Sequence, residues 1–179
     1  MPLNFEDVKT SLFDWASSQV PLGYEVIFYY PNAPRPKSPY VSLYVMNIIT
    51  VNQDYTYPNT SITGEIQMKG DRQFTLQIQA YGNDPLTVVE NLRTSLQKQS
   101  VLDTLRSNGI VFYQALSVND ITNLIDSQYE KRAQLDVLMG IGQTYSDNLG
   151  FFDEVEIEQE YLSADSTIVY ADDIVITVN

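Results

Sequence analysis

The stretch RQFTLQIQAYGNDP, residues 72–85, decides the fold. Phe74, Leu76, Ile78 and Ala80 alternate with Gln73, Thr75, Gln77 and Gln79, the pattern of a β-strand with one apolar face and one polar face. The apolar face needs a cover. The polar face suits a surface that is wet or that pairs with another subunit. Gly82-Asn83-Asp84-Pro85 closes the strand and opens a helix, with Asp84 as its cap and Pro85 at its first position. Val88, Val89, Leu92 and Leu96 follow at helical spacing and supply the cover, continued by a second short helix through Val101, Leu102 and Leu105. Asn108-Gly109 stops that helix.

Upstream, Asn4 caps a predicted helix from Phe5 to about Val20, with Glu6 and Asp7 well placed in its first turn. Phe5, Val8, Leu12, Trp15 and Ala16 form its apolar face, and Trp15, the only tryptophan, reads as a core anchor. A short strand, Tyr24–Tyr30, leads to a run in which Pro31, Pro34, Pro36 and Pro39 enforce an extended arm bearing Arg35 and Lys37. The arm passes directly into a long strand from Tyr40 to about Asn52, with apolar or aromatic residues on both faces, which predicts cover on both sides. Asp54–Gly64, rich in tyrosine and turn formers, reads as a projecting hairpin loop that exposes Tyr55 and Tyr57.

Downstream, Ile110–Val118 reads as a strand and Asp120, Asn123 and Asp126 as a polar connection. Tyr129–Tyr145 reads as one long strand with Tyr129, Lys131, Ala133, Leu135, Val137, Met139 and Ile141 on a common face. Phe152–Leu162 and Thr167–Val178 read as two further strands, the first carrying Glu154, Glu156, Glu158 and Glu160 on one side. The expected architecture is α+β: a mostly antiparallel sheet flanked by helices, in a single domain over residues 1–179, with 151–179 as an acidic C-terminal hairpin.

Composition narrows the chemistry. A chain of 179 residues that is 44% hydrophobic can bury a full core. It has neither cysteine nor histidine, so thiolate nucleophiles, imidazole bases and the commonest metal sites are excluded. There is no glycine-rich phosphate loop and no nucleophile elbow. A carboxylate row on a strand spaces its groups about 6.6 Å apart, a poor calcium cage. The reading is therefore no enzyme, no metal and no cofactor. Met1–Thr10 is polar and acidic, so no secretory signal and no membrane partner are expected. Net charge is −13, and it is segregated: all ten Lys and Arg lie before residue 133, and residues 133–179 carry ten acids and no base. Such a chain repels DNA and anionic membrane instead of binding them. Edge-strand protection and solubility are the plain explanations of that acidity.

The order of these elements is itself informative. A helix containing Trp15, a strand ending in aromatics, the Arg35-Pro36 and Pro39-Tyr40-Val41 run, the RQFTLQIQAYG strand, the Asp84-Pro85 helix start and YEKRAQLD at 129–136 together resemble the neck or tail-terminator proteins of contractile-tailed phages. The likeness spans about residues 5–145.

That resemblance implies a structural virion protein at the neck, or collar, made in the host cytoplasm. It implies a ring, usually a homohexamer, that caps the tail tube and sheath and joins them to the head-to-tail connector, with DNA passing through without specific binding. Within it, Arg35, Pro36, Lys37, Pro39, Tyr40, Tyr55 and Tyr57 are the expected docking residues, and Glu154, Glu156, Glu158 and Glu160 an expected acidic surface or channel lining. The alternatives are another virion part (a head-completion or baseplate protein) and, from a different class, an enzyme that works with carboxylates alone.

Overall fold

The computed structural model describes residues 4–29, 34, 36–57, 65–125, 127–148, 154–162 and 168–177, the last two segments by their backbone. Three helices are present among them: α1 (Phe5–Gln19), α2 (Pro85–Ser95) and α3 (Gln99–Ser107). The strands are β1 (Glu25–Phe28), β2 (Tyr40–Thr50), β3 (Tyr55–Tyr57), β4 (Glu65–Tyr81), β5 (Ile110–Ala115), β6 (Asn119–Asp120), β7 (Asn123–Ile125), β8 (Gln128–Glu130), β9 (Arg132–Asn148), β10 (Glu154–Leu162) and β11 (Ile168–Thr177). The class is α+β, and the sheet is mostly antiparallel. The chain divides into two compact units, Met1–Tyr55 with Met68–Tyr145, and Thr56–Gln67 with Ser146–Asn179.

The main sheet runs β1-β2-β4-β9-β5, with β3 added to β4 and β6 to β9. β2 and β4 are antiparallel, pairing Val41 with Ala80, Leu43 with Ile78 and Val45 with Leu76. The alternation at 72–81 is realised in full. Phe74, Leu76, Ile78 and Ala80 have no exposed surface, and they share one core with Val8, Leu12, Trp15, Val89, Leu92, Leu105, Ala133, Leu135, Val137 and Met139. Burying one such side chain contributes roughly 1.5–3 kcal/mol. Trp15 is the anchor its sequence position predicts: its indole Nε1–H donates to Ser95 Oγ at 3.1 Å, and Ser95 donates onward to the Leu92 carbonyl at 2.7 Å. That chain of bonds locks α1 to α2 and leaves both buried polar side chains paired.

Several boundaries differ from expectation. β1 runs parallel to β2, which makes the proline arm a crossover connection instead of a hairpin turn. β2 is covered on both sides only over Tyr40–Leu43; Tyr44 is 45% exposed, and Asn47 takes φ +48° where the β2–β4 register shifts. β4 begins at Glu65, seven residues before the expected Arg72: Ile66 and Met68 alternate with Glu65, Gln67 and Lys69 and continue the pattern of 72–81 upstream. The expected loop at 54–64 contains the short strand β3, and residues 58–64 lie outside the described residues. β5 ends at Ala115, before the expected Val118. The polar connection holds the hairpin β7–β8, with Leu124 paired to Tyr129. Tyr129 and Lys131 do not share the buried face of Ala133: Tyr129 is 76% exposed, because the strand breaks between β8 and β9. Asp84 does precede α2, but its side chain makes no capping hydrogen bond.

In the second unit, β10 and β11 form an antiparallel pair from Glu154 opposite Thr177 to Leu162 opposite Ile168. Glu156, Glu158 and Glu160 pair in backbone register with Val175, Asp173 and Ala171.

Candidate docking surface

The end of the main sheet where β2 begins and β4 ends gathers most of the sequence-predicted docking residues. Tyr40 and Tyr81 are register partners, and their rings stack at 4.3 Å with an interplanar angle of 13°. Above the Tyr81 ring lies the Arg132 guanidinium, 5.1 Å from its centroid, a cation–π contact that is strengthened by partial burial. Glu130 pairs with that guanidinium and keeps it in place. The Tyr81 hydroxyl donates to Gln79 Oε1 at 2.7 Å, and Gln79 donates to Gln77 at 2.9 Å and to Gln134 at 3.4 Å. The polar face of β4 is thus a connected amide ladder running into an aromatic stack.

The base of the arm is seated on this stack. Glu25 N–H donates to the Pro39 carbonyl at 3.4 Å, tying the last arm residue to the start of β1. Gly82 has φ +143°, and a Cβ there would lie 2.8 Å from the Pro39 Cβ, so glycine is required both by conformation and by close approach. Lys37 and Pro34 are exposed and Pro36 and Pro39 half-buried, whereas Tyr40 is 4% exposed and supports the arm from below. Arg35 lies outside the described residues.

Beside the arm base, Ser38, Gly82, Asn83, Ile125, Gln128 and Tyr129 line an open groove of about 540 Å³. Its far wall is the β7–β8 hairpin, which exposes Leu124, Ile125 and Tyr129. Sequence reasoning missed this wall. The signal was the apolar pair Leu124-Ile125 inside an otherwise polar connection, too short to register as a strand.

Tyr55 and Tyr57 are 60% and 46% exposed, and Tyr55, the one that belongs to the first unit, is not part of this end. Asp54, next to Tyr55, abuts Arg72, nine residues before Tyr81 along β4, or about 30 Å at the usual strand rise. Within the first unit, Tyr55 therefore stands apart from the arm base and Tyr40. The side chains of Glu154, Glu156, Glu158 and Glu160 lie outside the described residues.

Near Tyr55 the structure contains one strongly organised polar cluster. Arg72 donates from its two terminal nitrogens to Asp54 Oδ1 at 2.7 Å and Oδ2 at 2.6 Å, and Tyr145 O–H donates to Asp54 Oδ2 at 2.7 Å. Side-chain exposure is 14% for Arg72 and 12% for Asp54. The Arg72 hydrogen bonds first, and the Tyr145 hydroxyl second, hold the Asp54 carboxyl down at a pKa of about 2, against a weaker opposing effect of burial. A carboxylate so firmly ionised is a structural tie and not a proton donor at neutral pH.

Among the described residues no group of His, Cys, Asp or Glu is placed to hold a metal ion, and no helix is long and apolar enough to cross a membrane. The sequence profile of a family described as "Phage neck terminator protein" matches residues 6–163. No curated protein matches the chain. Among solved structures, the chain resembles the sheath/tube terminator of an extracellular contractile injection system, PVC, in its extended state. That likeness has a TM-score of 0.50 at 12% identity, covering 92% of this chain and 66% of the other, and is a likeness of fold.

Proposed function

The chain belongs to the phage neck terminator proteins, and from that premise we propose that it forms a ring that caps the tail tube and sheath and joins them to the head-side connector. The family match over residues 6–163 is the observation that carries this reading. Six copies close the ring, and residues 1–179 act in it as one terminator domain with the acidic 151–179 hairpin as its appendage.

Two physical features support the assignment. The Tyr40–Tyr81–Arg132 stack gives the arm a stiff base, so docking loses less conformational entropy than it would from a mobile loop. Arg35 and Lys37 then meet an acidic neighbour, with Pro36, Pro39 and Tyr40 fixing their approach and Tyr55 and Tyr57 forming a second contact. Residues 133–179 carry no base, so a channel lined by Glu154, Glu156, Glu158 and Glu160 lets DNA slide without phosphate pairing.

Mass photometry of the purified protein, alone and with tail tubes, tests the proposal. Rings in either condition are the expected result. A monomer with no affinity for tubes or connector would overturn it. Negative-stain images of virions labelled at the C-terminus should place the label at the neck, and a label at the baseplate would move the protein to the other end of the tail.

A further inference from the structure

The Asp54–Arg72–Tyr145 cluster lies at a particular place in the chain. The polypeptide passes between the two compact units three times, at residues 55/56, 67/68 and 145/146. Asp54 is one residue from the first crossing, Arg72 four residues from the second, and Tyr145 immediately precedes the third. We propose that these three side chains are a tie within the first unit that holds together the three segments by which the chain enters and leaves it, so that those segments move together.

The chemistry suits that task. A bidentate guanidinium–carboxylate pair is directional as well as strong, and the second carboxylate oxygen is shared with the tyrosine hydroxyl, so no member can shift without disturbing the other two. The backbone has been shaped around the pair. A Cβ on Gly70 would lie 2.2 Å from Asp54 Oδ1 and 2.3 Å from the nearer terminal nitrogen of Arg72. Gly70 therefore leaves room for the tie, a use of glycine that owes nothing to turn formation. Val51 N–H donates to the Asp71 carbonyl at 3.2 Å, which holds the segment leading to Asp54 against β4 one residue from Arg72. Elsewhere the described ion pairs other than Glu130–Arg132 join residues three apart on one helix, and this one bridges eighteen residues. The inference does not depend on where the protein sits in a virion, and its test reads the isolated protein.

Hydrogen exchange on the full chain decides it, using Tyr145→Phe, Asp54→Asn and Gly70→Ala. Tyr145→Phe removes one hydroxyl and leaves the ring, so folding is preserved. Each variant should raise exchange at least tenfold at all three crossings (residues 50–55, 68–72 and 144–148) while Ile78 and Leu135 in the core keep wild-type protection. Asp54→Asn combined with Tyr145→Phe should add little to Asp54→Asn alone. A rise confined to the strand bearing the substitution, no rise at all, or a uniform rise through the core in Tyr145→Phe would each overturn the proposal.

Discussion

Arg72 grips Asp54 with both terminal nitrogens, at 2.7 and 2.6 Å, and the pair is nearly closed to solvent. The carboxyl is held at about 2 against an ordinary value of 3.8, so the folded chain keeps this group ionised at pH values where the unfolded chain protonates it. The tie's stabilisation is therefore complete above about pH 4 and is lost as pH falls through about 2. Urea midpoints of wild type and Asp54→Asn, followed by Trp15 fluorescence, should differ most at neutral pH and converge near pH 2. A gap that stays constant down to pH 2 would mean that Asp54 stabilises the fold by something other than its charge.

Leu76 lies at the centre of the buried face of β4, with no exposed surface. Leu76→Ala should leave a folded protein weakened by about 2–5 kcal/mol. Leu76→Asp places an unpaired charge among Phe74, Ile78 and their neighbours and should abolish folding. Circular dichroism and thermal melts of the two variants check this, and a soluble cooperative aspartate variant would contradict the assigned strand face.

Gly82 joins the aromatic stack to the arm. Gly82→Ala must hold a side chain at φ +143° and push against the Pro39 Cβ at 2.8 Å. The expected loss is about 1–3 kcal/mol, with weakened attachment of the arm base. Urea denaturation measures the first, and exchange at the Glu25 amide, which donates to the Pro39 carbonyl, measures the second.

Reversing the arm's charge tests the docking role directly. Arg35→Glu with Lys37→Glu should melt within a degree or two of wild type, since Lys37 is exposed and charge on an extended arm contributes little to the fold. Joining to tail tubes or connector should fall at least tenfold, with the remaining affinity less sensitive to salt. Unchanged joining in the double variant would remove the arm from the interface.

What the sequence made legible, and what it did not, follows one physical division. Strands with a sharp contrast between faces, such as 72–81 and 133–141, could be read directly, as could α1 from Asn4 and its apolar stripe. Asn4 does accept from the Glu6 amide, at 3.2 Å. What escaped was either too short to show a period or decided by partners distant in the chain. The start of β4 alternates over Ile66 and Met68 but with only two apolar side chains, and β7 and β8 are three residues each, with Leu124 opposite Tyr129. The Asp54–Arg72–Tyr145 cluster joins residues eighteen and ninety-one positions apart, a separation that no local pattern encodes. The candidate docking surface was legible in its proline arm and Tyr40, and invisible in Tyr81, Arg132 and Glu130, which hold that arm's base from three other segments.

The parallel pairing of β1 with β2 has a consequence for how this chain can vary. Eleven residues, 29–39, connect the two strands, yet the return from Phe28 to Tyr40 needs only the length of a four-residue strand and one inter-strand step. That return is about 11 Å, whereas eleven residues reach roughly 36 Å. The connection is therefore longer in sequence than the straight return between the strand ends. Residues could be gained or lost within it while Tyr40 stays on Tyr81 and Pro39 on Gly82, so the reach of the arm is adjustable independently of the sheet it leaves. A lineage meeting a neighbour of altered size could fit it by changing tether length alone.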